Sequence, residues 1–150
     1  GAANTFAQTS IDLNLSPLDR EVFVVLAINL DTQIPDAVPG VTTSVLSSVT
    51  TTAQTAVQSI SNSNCLAFAS NIIRQSAGSV EGVPFSTQGI ETPPATLEFI
   101  GIIATNDFFC QVLGDGNTQA RTVHGKLYGY RAVADASIFA ALVQSEVLSA

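Results

Sequence analysis

Residues 42–60 read TTSVLSSVTTTAQTAVQSI, and the fold class turns on whether this stretch is helix or strand. Val45, Val49, Ala53, Val57 and Ile60 recur at spacings of four, four, four and three. That spacing places them on one stripe of a helix, with Ser, Thr and Gln on the other faces. The many Thr and Val residues oppose it, because β-branched side chains are weaker helix formers. Periodicity favours a helix over 42–60, and the strand reading leads to a mainly β, jelly-roll-like chain instead.

Working outward, residues 37–73 contain no charged side chain. A solvent-facing helix normally carries charge pairs, so the polar face of 42–60 is expected to be buried against another subunit. Asn62-Ser63-Asn64 forms a break. Cys65 to Gln75 then places Leu66, Ala69, Ile72 and Ile73 on one face, which predicts a second, shorter helix ended by Gly78. Residues 78–95 hold three glycines and three prolines and read as a long surface loop.

On the N-terminal side, Glu21 to Leu30 is apolar on both parities, as expected of a strand covered on both faces. Asp31 to Gly40 is a loop. Residues 1–16 read as an extended arm in which Ile11, Leu13 and Leu15 alternate with polar residues. On the C-terminal side, 97–104 and 108–113 read as strands. Gly114-Asp115-Gly116-Asn117 is a hairpin signal, and 118–133 reads as the returning strand. Asp135 then caps a closing helix with Ile138, Phe139, Leu142, Val143 and Val147 on one stripe. The sum is a single α+β domain over 1–150, an antiparallel sheet with two or three packed helices.

Composition narrows function. Of 150 residues, 46% are hydrophobic but only 11% charged, where about a quarter is usual. Disorder requires the opposite balance. A surface this poor in charge tends to associate. Net charge is −7 with five basic residues, too few to neutralise a phosphate backbone, so direct nucleic-acid binding is not expected. No window of 18 apolar residues signals a transmembrane helix. Two cysteines, Cys65 and Cys110, read as buried thiols.

Catalytic and cofactor motifs are missing. His124 is the one histidine. With Cys65 and Cys110 it makes no paired zinc spacing, and Asp115 with Asn117 makes no EF-hand, so neither a metal nor a cofactor is expected. There is no G-x-S-x-G elbow and no glycine-rich phosphate motif. An enzyme would have to rest on His124 as base, the weakest of three readings.

One local cluster stands out. Four of the six basic or imidazole side chains lie between 121 and 131. His124, Lys126, Tyr128 and Tyr130 share one strand parity, while Arg121 and Arg131 share the other. The six form a candidate interface, since Tyr and Arg are enriched at contacts. They would receive an acidic patch of a neighbour or a small polar ligand such as a carbohydrate.

In texture the chain resembles viral and phage coat-type structural proteins. The shared features are the 1–16 arm, the uncharged 37–73 stretch, the two-faced strands at 21–30 and 97–104, and a single lysine, Lys126. The resemblance implies a self-assembling capsid, coat or decoration subunit. Its partners would be copies of itself and other structural subunits, in a virion or extracellular assembly. A small-molecule or carbohydrate-binding module built on the 121–131 strand is the alternative.

Overall fold

The computed structural model describes residues 2–76, 81–89 and 98–148. Eight strands and one helix follow in order: β1 (Ala7–Asp12), β2 (Glu21–Thr32), β3 (Thr43–Thr50), β4 (Cys65–Gln75), β5 (Gly82–Gly89), β6 (Gly101–Ile103), β7 (Asp107–Asp115), β8 (Val123–Val133) and α1 (Ala136–Leu148). All pairings are antiparallel. One sheet has the order β1-β7-β3-β4-β5 and the other β6-β2-β8. The core lies between them, with Val25, Ile28, Leu30 and Ile103 from one sheet meeting Val49, Leu66, Ala67, Ala69 and Phe108 from the other.

The α+β expectation is therefore overturned, and the chain is mainly β with a single C-terminal helix among the described residues. Residues 42–60 do not form a helix: they supply β3 and the irregular start of the segment that follows it. The misleading signal was the spacing of four, which is even and so also keeps Val45 and Val49 on one face of a strand. Ala53, Val57 and Ile60 merely continue that count through a loop, and Ile60 is left exposed. Cys65–Gln75 is not a second helix either. It is an inner strand covered on both faces, where a continuous apolar run cannot be told from helix by period.

Within the expected 78–95 loop, Gly82–Gly89 is strand β5, at the edge of the larger sheet where Pro84 is tolerated. The remainder of that loop, and Leu97 of the expected 97–104 strand, lie outside the described residues. Among 98–104 the strand is confined to Gly101–Ile103.

The uncharged stretch has a structural reason within the chain. Residues 51–64 fold back over the outer face of the larger sheet, where Ser48, Thr50 and Gln111 are fully buried. Gln58 N donates to Ser48 Oγ at 3.1 Å and Gln54 N to Gln8 Oε1 at 2.9 Å. Thr50 Oγ1 donates to Thr52 O at 2.7 Å. Burying a charge here would cost more than these neutral groups do. The polar face expected at a subunit contact is thus spent at home.

Gly114–Asn117 does not close a hairpin. β7 pairs with β1 and β3, whereas β8 pairs with β2, so the chain crosses between sheets here. Gly116 adopts φ +69°, and a Cβ there would meet Thr42 O at 2.7 Å. Asn117 is held by Asn4 Oδ1 on its N–H and by Asn4 Nδ2 on its carbonyl, each at 2.9 Å. Its side chain reaches Ser44 O and accepts from Asp36 N. These contacts hold the turn away from a tight reversal.

The two-faced character of 21–30 also has a local cause. The register of β2 against β8 shifts between Val25 and Ala27, so Val25 and Ile28, three apart, both face the core. The opposite parity is buried at the strand's start, Val22 and Val24 included. The closing helix forms as its sequence requires. Asp135 Oδ1 accepts from Ile138 N at 2.8 Å as the N-cap, and that bond first, then the Ser137 hydroxyl, holds the Asp135 carboxyl below its ordinary range. Glu146, buried in the last turn, accepts from Ala104 N, Thr105 N and Thr105 Oγ1 at 2.6, 3.1 and 2.6 Å. The helix is thereby fastened near its C-terminal end to the residues that follow β6.

Candidate functional site

β1 and β8 are edge strands of different sheets, and between them the sandwich stays open. The opening leads into a cleft of about 580 Å³, within the 300–1,000 Å³ range of small-molecule sites. Its floor is core: Ile28, Leu30, Val49 and Phe108, all buried. Ile11, Cys110, Val112, Val123 and Leu127 are half-buried walls. Ala7, Thr9, Thr5 and Thr122 stand at the exposed rim.

Strand alternation explains the walls. On β7, Phe108, Cys110 and Val112 are spaced by two and turn inward together. On β1, Ala7, Thr9 and Ile11 do the same, opposite Val112, Cys110 and Phe108 in register. On β8, Val123 and Leu127 face in, and Gly125 between them leaves space where a side chain would intrude. Burial pushes the Cys110 thiol up, so the cleft wall carries a neutral sulfhydryl. Cys65 is also a free thiol, buried away from the cleft and likewise raised by burial.

Among the described residues two charged ones line the cleft, and the Arg121 head is already engaged. Its guanidinium pairs with Asp36 at 3.3 Å and donates to Ile34 O at 3.1 Å and Gln119 O at 3.4 Å. Asp36 itself accepts from Thr118 Oγ1, Thr118 N and Gln119 N. The Thr118 hydroxyl first, then these amides and Arg121, hold its carboxyl below the ordinary range. The second is Lys126, exposed at the rim.

The six residues singled out from sequence are not brought together as one surface. His124, Lys126, Tyr128 and Tyr130 do share an exposed face of β8, opposite Asp31, Asn29, Ala27 and Val24. Arg121 instead braces the crossover through Asp36. Arg131 pairs with Glu21 at 3.6 Å and donates to the carbonyls of Leu13 and Asn14, tying the N-terminal segment to β8. Both arginines are structural ties. Lys126 at the rim apart, the cleft uses the other parity of the same strand. Sequence reasoning passed over Ala7, Thr9, Phe108, Cys110 and Val112. The sequence marks 108–113 as a strand and shows alternation at Ile11, Leu13 and Leu15, but nothing in it tells a filled core from an open one.

Segment 1–16 was expected to be an arm. Its β1 portion lies on β7 of its own chain and forms a cleft wall. Among the described residues, no group of three or more His, Cys, Asp or Glu side chains is placed to hold a metal ion. No described helix is long and apolar enough to cross a membrane. No protein-family model, curated protein or solved structure matches the chain.

Proposed function

We propose that this chain is a small-molecule-binding β-sandwich that holds its ligand in the cleft between β1–β7 and β2–β8. The observation that carries the reading is a cleft of about 580 Å³ with a buried apolar floor, open to solvent through a threonine-lined rim. Concave apolar pockets with a few polar groups at the mouth are the usual form of such sites. The 121–131 strand takes part through Val123 and Leu127 rather than through its tyrosines. Titration with Nile red, a neutral apolar dye, tests the proposal. The wild type should take up one dye per chain with a fluorescence rise. Ala7→Trp, which fills the rim from an exposed position, should weaken uptake by about tenfold or more. No saturable uptake by the folded wild type would overturn the reading.

A second reading, a self-assembling structural subunit of coat type acting through copies of itself in a virion or extracellular assembly, draws support from edge strand β5. There Val83 and Phe85 are 56% and 52% exposed on a strand with one unpaired edge among the described residues. Light scattering coupled to size exclusion separates the two. Regular high-mass particles favour assembly, and a monomer near 15.6 kDa leaves the cleft as the functional feature.

A further inference from the structure

We infer that the cleft selects uncharged ligands, compact apolar molecules with at most a hydroxyl, ether or ester end, over ionised amphiphiles of the same size. This rests on the reading of the cleft as a binding site and specifies its ligand class. Below the rim, and Arg121 apart, the described lining is uncharged: aliphatic side chains, Phe108, and the protonated Cys110 thiol. The one guanidinium along the lining, Arg121, already has a carboxylate and two carbonyls as partners, so its charge is offset by Asp36 before any anion arrives. Lys126 stands exposed at the rim, on the outward parity of β8 with Tyr128 and Tyr130, so it is not part of the apolar walls. The overall charge of −7 further opposes anion entry.

Neutral polar ends, by contrast, find partners. The Thr9 hydroxyl at the rim makes no hydrogen bond among the described residues, and Thr5 and Thr122 each use theirs as donors, to Ala2 O and Gln33 Oε1, leaving acceptor lone pairs. A ligand short enough to sit below these threonines must bring its polar end out of bulk water. A neutral end is compensated there by one hydrogen bond, and an ionised end is not.

Calorimetric titration of the full chain at neutral pH with 1-octanol, methyl octanoate and sodium octanoate tests this directly. The alcohol and the ester should bind one per chain, and the carboxylate at least about tenfold more weakly. Octanoate binding as tightly as the neutral pair, and weakened by Lys126→Ala, would overturn the ligand class while leaving the cleft a binding site. If none of the three binds although the chain is folded, both the ligand class and the cleft reading fall.

Discussion

Ser48 Oγ donates a 2.6 Å hydrogen bond to Gln111 Oε1, between two register partners on β3 and β7 that are both fully buried. Gln111 Nε2 completes the set, donating to Gln8 Oε1 at 2.8 Å and to Thr50 Oγ1 at 2.7 Å. Every polar atom of that amide is satisfied. The network joins three strands and the 51–64 segment, so β1, a cleft wall, is held in place from the opposite face of its sheet. Gln111→Ala should therefore destabilise the fold by about 2–4 kcal/mol, adding a cavity to the loss of three hydrogen bonds. Ser48→Ala should cost less, about 1–2 kcal/mol. Urea midpoints of the two variants and their double mutant check this, and the double mutant should fall short of the sum.

The Glu146 carboxylate is the fastening of α1 to the end of β6. Glu146→Ala removes three hydrogen bonds, leaving the Ala104 and Thr105 donors without it, and should cost about 2–4 kcal/mol. Circular dichroism at 222 nm should show the helix fraying before the sheets melt.

Gly129 sits on β8 where a Cβ would meet Val24 O at 2.2 Å and the Phe23 ring at 2.5 Å. Gly129→Ala should destabilise by on the order of 1–3 kcal/mol through overpacking against backbone that cannot move aside. Thermal melting compared with a neighbouring surface change, Tyr130→Ala, isolates the effect.

Asp36 predicts an acid-side dependence. Its folded pKa lies below the ordinary aspartate value of 3.8, the Thr118 hydroxyl being the largest cause. A carboxyl lowered on folding stabilises the fold above its unfolded pKa, and that contribution is lost as pH falls through the folded value. Asp36→Asn should flatten the fall of melting temperature below about pH 4, leaving the part due to Asp135, which is shifted the same way. An unchanged acid limb would show that the Asp36 brace does not form in solution.

Much of the strand content was legible. Both-parity apolarity at 21–30 marked a strand covered on two faces, and Asp135 with the stripe at 138–147 marked the closing helix. What misled was ambiguity of period. Val45 and Val49 satisfy helix and strand alike, and the covered strand Cys65–Gln75 shows no alternation to betray it. The Gly114–Asn117 turn has hairpin composition, but its partner strand was chosen by distant contacts through Asn4 and Asp36. The cleft was illegible for a related reason. Thr9, Val112 and Leu127 come from three strands distant in sequence, and only the pairing order puts β1 and β8 at facing edges.

The most direct test is an amide NMR titration of the isotope-labelled chain with 1-octanol. Saturable shifts are expected, concentrated at Ala7, Thr9, Ile11, Cys110, Val112, Val123 and Leu127. Shifts centred on His124, Tyr128 and Tyr130, or none on a folded chain, would contradict it.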